Sequence, residues 1–510
     1  MVLEKTVDEV ANTKECCTIE GEANECCNSD SCPKRGFSTF LWESRSKFIF
    51  KLDWWVLSYI CLTEFIKYLD EANIKNAYVS GMETHFHMKD NEYNLLTTWW
   101  TIGYIVGHLP TTFLVTRSRI RYWLPAFQFL WGSLVMSMAG AKNINTLYAI
   151  RFFIGLLQAP AFAGSMLLFA DWYTPSELAK RSLIYEASSP AAKMFSGYIQ
   201  AGLYKGMNGR NGLESWQWLF IFDGVIGLPL AIYGYFALPD TPSQTKAFWI
   251  TPEEKQFAIE RMEKINRKPY TGELNFALVK RVAKSPYTYL FTLIYTCHFI
   301  AARLPEFFNL YLKSTGRYTV YQLNTIPTIG NAIEFVTNLL VAWLSDYYGH
   351  RWIFISFCSF MAVVGSIILV IWPAHNIHAM YAGWLLMFIE HSGAPIVVVW
   401  LNELLGHDGE RKVLTLVVGE IIAYVFRAWV PLLLYPSGNA PYYGVGYPIS
   451  LALFALEGFT AFAMYMYSKY EIKRRAPEDC YCGQVPSDAS VGSKESDVHE
   501  AEEEISTISV

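Results

Sequence analysis

Long apolar runs recur along the chain, about twelve in all, and nothing else in the sequence restricts the fold as much. A helix needs about 20 mostly apolar residues to cross the hydrocarbon core of a bilayer. Within lipid, only helices and closed barrels leave no peptide group unpaired. Runs of helical length read at 52–70, 95–115, 122–140, 147–170, 183–204 and 217–238. A second set follows at 287–310, 323–345, 352–372, 378–401, 411–434 and 446–468. The first run is the least clean, because Lys51, Asp53, Glu64, Lys67 and Asp70 crowd it. The pattern predicts an all-α membrane protein with about twelve transmembrane helices in two six-helix bundles. Only 17% of the 510 residues are charged, where a soluble protein carries about a quarter. The 33 Phe, 32 Tyr and 17 Trp suit belts at the headgroup level better than a soluble core.

A polar stretch separates the two sets. The expected division is a leader at 1–50, a first bundle at 51–238, a linker at 239–285, a second bundle at 286–468 and a tail at 469–510. The linker opens on the breaker Leu238-Pro239-Asp240-Thr241-Pro242. Thr251-Pro252-Glu253-Glu254 then predicts a surface helix, with a Thr cap, an early Pro and acids in the first turn. Basic residues follow at Arg261, Lys264, Arg267, Lys268, Lys280, Arg281 and Lys284, a composition that anionic cytoplasmic lipid would hold. Lys and Arg also collect in alternate short loops: Arg117, Arg119 and Arg121, then Lys180 and Arg181, Arg351, and Arg411 with Lys412. The loops near Pro373–His378 and Pro436–Tyr447 carry neither. The positive-inside rule then places both termini in the cytosol. Cys16, Cys17, Cys26, Cys27 and Cys32 lie in a leader with no hydrophobic core of its own, so no cleaved signal peptide is expected. A zinc site from Cys26, Cys27 and Cys32 has irregular spacing and no nearby His. The acidic tail from Ser487 reads as disordered. Two repeated halves around a basic linker argue for a transporter that handles its substrate near the bilayer midplane.

Local motifs narrow this further. Gly103-Tyr104-Ile105-Val106-Gly107 and Pro110 fill the second span, and Arg151-Phe152-Phe153-Ile154-Gly155 lies in the fourth. The latter resembles the Arg-x-x-x-Gly motif of proton-coupled major facilitators. Asp346-Tyr347-Tyr348-Gly349-His350-Arg351 resembles the short Asp-x-x-Gly-x-Arg loop of the same superfamily. With Trp216-Gln217-Trp218, Trp400-Leu401-Asn402-Glu403 and Trp429-Val430-Pro431, the chain is similar to the fungal allantoate permease family of anion:cation symporters. Asn76-Ala77-Tyr78-Val79-Ser80-Gly81-Met82 and Phe308-Asn309-Leu310-Tyr311 fit its pantothenate and related carboxylate carriers. The resemblance implies a major facilitator fold from about Asp53 to Tyr467. Two positions depart from it. Asp70-Glu71 stands where the family commonly has Asp-Arg or Asp-Gln, and Gln158 where it commonly has Glu.

An ionisable group inside a membrane is a functional hypothesis by default. A carboxylate carrier needs a fixed cation, and the planar, permanently charged fork of Arg suits that role. Arg151 is the first candidate, on its place in the motif, against a packing or gating role. Arg303 has Glu306 one helical step away, so it either lines a cavity or forms a local pair. Arg427 is divided in the same way. Lys193 is a second-rank anion ligand. Asn331 shares a polar stripe with Asn324 and Asn338, seven residues apart. Proton coupling needs a group whose protonation changes with its surroundings, and Glu64, Glu334, Glu390 and Glu420 are candidates. For Glu64 the alternative is a neutralising pair with Lys67, and Glu390 forms a possible relay with His391. Asp70 reads as a helix cap. Asp346 and Arg351 are expected to act as a gating latch, with Asp171 or the Glu410-Arg411 pair as partners. Trp99, Trp100, Trp400 and Trp429 either wall a substrate site or pack.

The function expected from sequence is proton-coupled uptake of a small organic anion by alternating access, with pantothenate or a related vitamin first. Allantoate or ureidosuccinate, nicotinate, biotin and a dipeptide remain open, as does a non-transporting nutrient sensor. The expected partners are the anion, protons and lipid. No nucleic acid, cofactor or metal is expected, and the protein is expected to be a monomer at the plasma membrane.

Overall fold

The computed structural model describes residues 47–89, 91–117, 119–264, 276–373, 375–405 and 409–475. The leader cysteines, Arg267, Lys268 and the acidic tail lie outside the described residues. Contacts divide the chain into Met1–Trp54, described only as a helical stretch at 47–54, and Trp55–Val510.

The second unit is built of long helices, with no strand among the described residues. The first six are α1 (Ser58–Ala77), α2 (Glu92–Arg117), α3 (Ile120–Ser137), α4 (Ile144–Trp172), α5 (Pro175–Met207) and α6 (Ser215–Ala237). Two shorter helices, Pro252–Lys264 and Phe276–Ala283, follow in the linker. The second six are α7 (Pro286–Ala301), α8 (Pro327–Tyr348), α9 (Arg351–Ile371), α10 (Ile377–Leu404), α11 (Gly409–Leu434) and α12 (Gly446–Arg475). A turn at Leu304–Phe307 and a short helix at Phe308–Ser314 prolong α7, and α10 tightens to a 3-10 turn at Met387–Ser392.

Local chemistry sets the ends. The Asn143 side chain accepts the Thr146 N–H at 2.8 Å and opens α4. Thr174 and Glu177 cap α5 reciprocally, with Pro175 in its first turn. Gly349, at φ 67°, ends α8 in the left-handed region where a side chain would be strained.

By length and composition alone, six helices among the described residues can cross a membrane: α4, α6, α9, α10, α11 and α12. The rest carry too much polarity or are too short, and the structure shows where that polarity points. On α1, Glu64, Lys67, Asp70, Asn73, Lys75 and Asn76 are all buried, while Leu62 on the same helix is 46% exposed. Leu340, Phe153, Ile232 and Phe459 are likewise exposed. Apolar side chains therefore face outward and polar ones inward, the arrangement hydrocarbon surroundings favour. Asp70 is thus corrected: it is an interior side chain of α1, not a cap.

Within the first group, α1 packs on α5 and α6, α3 on α6, and α2 on α4. In the second, α7 packs on α11 and α12, α9 on α12 and α10, and α8 on the 3-10 turn of α10. The groups meet where α5 faces α8 and α2 faces α11. The α2–α4 crossing is a glycine seam. A Cβ on Gly103 would strike the carbonyl of Phe152, and one on Gly155 the carbonyl of Trp100. Small residues at such crossings let backbones touch where hydrophobic force cannot drive packing. Gly155→Val is expected to destabilise the fold by about 1–3 kcal/mol through overpacking. Gly140, with open space around it, is the control: Gly140→Ala should leave thermal unfolding in detergent within about 0.5 kcal/mol of the parent.

Candidate functional site

Polar side chains on α1 and α5 meet cations and amides from α7, α8 and α11 at the junction of the two groups. Glu71 on α1 accepts from Nη2 of Arg427 on α11 at 2.6 Å, and Nη1 of Arg303 stands 3.9 Å away. Arg303 also pairs with Glu306, one helical step away. Lys193 on α5 donates to Glu334 on α8 at 2.9 Å. Beyond these pairs, the Asn309 amide donates to Asn76 at 3.3 Å and the Asn324 amide to the Ser80 hydroxyl at 2.9 Å. Asn91, just before α2, and Asn94 and Thr98 on α2 donate to the carbonyls of Leu432, Tyr435 and Ala428. Lys313 pairs with Glu83. Asn331 is buried in α8, and its Oδ1 accepts no hydrogen bond among the described residues.

Arg151 lies deeper, 1% exposed on α4. Its Nε donates to the Leu96 carbonyl at 3.4 Å, its guanidinium carbon stands 6.0 Å from the Trp100 ring centre, and Nη2 has no acceptor among the described residues. Beside it, Gln158 donates to Asp70 at 3.0 Å while accepting from the Trp100 indole at 2.8 Å. Gln158 thus uses both ends of its amide, which an ionised carboxylate could not do. Asp223 on α6 accepts from Asn73 at 2.5 Å. Trp100 therefore belongs to the interior network, and Trp400 is buried in the second group, whereas Trp99 and Trp429 are exposed.

The candidate carboxyls divide. Glu64 accepts from Lys67 at 3.0 Å, the neutralising pair that their spacing suggests. Glu334 is the partner of Lys193, so these two act as one ion pair. Glu420 on α11 is half-buried. Glu390 lies away from the junction, between α7, α10 and α12. There His298 contacts Glu390 closely and stands 3.3 Å from Glu457, and the three donor atoms lie within 4.8 Å of one another. His391 is 3.9 Å from Glu390 through Nδ1. Glu390 therefore faces His298 more directly than the adjacent His391. Neither His298 nor Glu457 was singled out from sequence, although Glu457 is the lone acid in an otherwise uncharged run.

At the loop between α8 and α9, Arg351 pairs with Asp346 and donates to Glu403 at the end of α10 at 2.8 Å. The latch partner shown is Glu403, in the same half as Arg351, and the Glu410 side chain lies outside the described residues.

The Major Facilitator Superfamily matches residues 60–419. The MFS transporter PfmaC of Pestalotiopsis fici is 37% identical over 421 residues, 80% of this chain and 78% of that protein. The pantothenate transporter liz1 of Schizosaccharomyces pombe is 30% identical over 399 residues, 78% of this chain and 77% of that one. Among solved structures, a D-xylose-proton symporter superposes with a TM-score of 0.62 at 13% identity, covering 81% of this chain and 97% of the other.

The junction pair is testable by itself. Lys193→Ala strands a buried Glu334 and should cost about 3 kcal/mol of stability, much of which Glu334→Gln in the same chain restores. A double-mutant cycle on thermal unfolding measures this coupling, and strictly additive losses would show that the pair has none.

Proposed function

The chain belongs to the Major Facilitator Superfamily, and on that premise we propose that it takes up a small organic carboxylate together with protons by alternating access. Membership makes it a multi-pass membrane transporter rather than an enzyme. The observation that carries the carboxylate reading is the gathering of Arg303, Arg427 and Lys193 where the two helix groups meet, with Arg151 buried in α4 beside Asp70 and Gln158. Fixed guanidinium donors suit a carboxylate, and burial strengthens such charge-assisted bonds. The first substrate class is pantothenate or a related vitamin, supported by similarity to liz1. The finer placement, among fungal anion:cation symporters of the allantoate permease family, rests on the motifs in α2, α4 and the α8–α9 loop.

Transport proceeds by rocking of a first bundle at 51–238 against a second at 286–468. Access from the far side of the junction requires breaking the bonds that join Asn76, Ser80, Asn91, Asn94 and Thr98 to the second group. Asp346 and Arg351, with Glu403, latch one end of the second bundle. Glu334, Glu390, Glu420 and Glu64 are the carboxyls available to carry a coupled proton. The carrier works as a monomer in a fungal plasma membrane, with both termini and the basic linker in the cytosol.

Uptake of labelled pantothenate and a panel of competing carboxylates in transport-deficient yeast tests this. Uptake should be saturable, faster at acidic than at neutral pH, and abolished by an uncoupler. Arg151→Lys at unchanged surface abundance should lower uptake by about tenfold or more, the worth of a charge-assisted bond. Surface-localised protein that takes up no anion of the panel would overturn the carboxylate reading.

A further inference from the structure

The carboxylate of Glu71 stands between two arginines. Its Oε1 lies 2.6 Å from Arg427 Nη2 and 3.9 Å from Arg303 Nη1, both from the opposite helix group. Arg303 also pairs with Glu306, and the two carboxylates still leave guanidinium donors unfilled. Arg151 Nη2, Arg303 Nε and Arg427 Nε are all buried without an acceptor among the described residues. Arg151 and Arg303 are themselves 1% and 4% exposed. Unfilled guanidinium donors at this depth point to a further anion, because a buried donor without a partner is costly.

Glu71 can also leave. Its side chain is more exposed than that of Arg303, 17% against 5%. One helical turn further along α1 stands Lys75, buried and without an ion-pair partner among the described residues. Residues four apart on a helix are neighbours, so a Glu71 carboxylate released from Arg427 finds a second cation without leaving α1.

We propose that Glu71 is a resident carboxylate of the anion site: it holds Arg427 and Arg303 in the empty carrier, and a carboxylate substrate displaces it onto Lys75. The inference rests on the carboxylate-carrier reading above and deepens it. In the empty carrier the cross-group pair neutralises charge that would otherwise be stranded during reorientation. In the loaded carrier the substrate does so. Removing the resident should therefore tighten substrate binding but hinder return of the empty protein. A resident occupant lowers apparent affinity by the fraction of time that the site is free, so occupancy for about nine-tenths of the time is a tenfold effect.

The test uses full-length protein in proteoliposomes, with labelled pantothenate or the strongest competitor of the uptake panel. Glu71→Gln should bind this anion about tenfold more tightly than the parent. Its net uptake should be lost, while exchange of external for internal anion continues. Glu71→Asp keeps the charge and should bind within about threefold of the parent. Glu71→Gln that binds no more tightly, or that loses exchange together with net uptake, would overturn the proposal. So would tightening in Glu71→Asp equal to that in Glu71→Gln, because charge would then not be what competes. Wild-type protein that binds no anion of the panel would instead sink the carboxylate reading, and this inference with it.

Discussion

Charge buried in a bilayer protein is held only by opposite charge or by hydrogen bonds, and the interior of this transporter is arranged around that constraint. The decisive pairs are not confined to one helix. Glu71 with Arg427 and Lys193 with Glu334 join elements from the two halves of the chain. Such bonds do two things together. They hold the halves in register, and they place the cations at the surface where the halves must separate. A carrier that exposes this surface has to offer each arginine another anion. On the proposed reading, selectivity for carboxylates and the control of rocking rest on the same atoms.

Away from the junction, the chain uses neutral groups for the same purpose. Gln158 is satisfied at both ends by Asp70 and the Trp100 indole, and Asn73 is shared by Asp223 and the Ser196 hydroxyl. These amides fix orientation without adding charge to a low-dielectric interior. The His298, Glu390 and Glu457 group is different: two carboxylates face one imidazole between α7, α10 and α12, beside the 3-10 turn of α10. It is buried in the second half.

The helices were legible in the sequence because apolar length sets them. The run at 352–372 matches α9 (Arg351–Ile371) almost residue for residue, as 217–238 matches α6. The first span is the least clean in sequence because its charged residues face inward rather than toward lipid. Arg151, Lys193, Arg303, Arg427 and Glu334 could be singled out because charge is rare in such runs. Their partners could not. The Lys193 and Glu334 positions are separated by 141 residues, and those of Glu71 and Arg427 by 356. Helix periodicity reports which face a residue occupies, not which distant helix lies across from it. The local pairs of Glu64 with Lys67 and Arg303 with Glu306 were therefore readable. The Glu403 partner of Arg351, on another helix, was not.

The glycine seam between α2 and α4 decides how the machine can be divided into moving parts. Where two backbones touch, neither helix can slide or roll without the other, so α2 and α4 form a single strut. Arg151, Trp100 and Gln158 are all mounted on it and keep their mutual geometry through any rocking motion. Adaptation to a new cargo is then expected to spare this strut. It should draw instead on α11, which packs on the strut from the other group, and on α5 and α8, which face each other across the same junction.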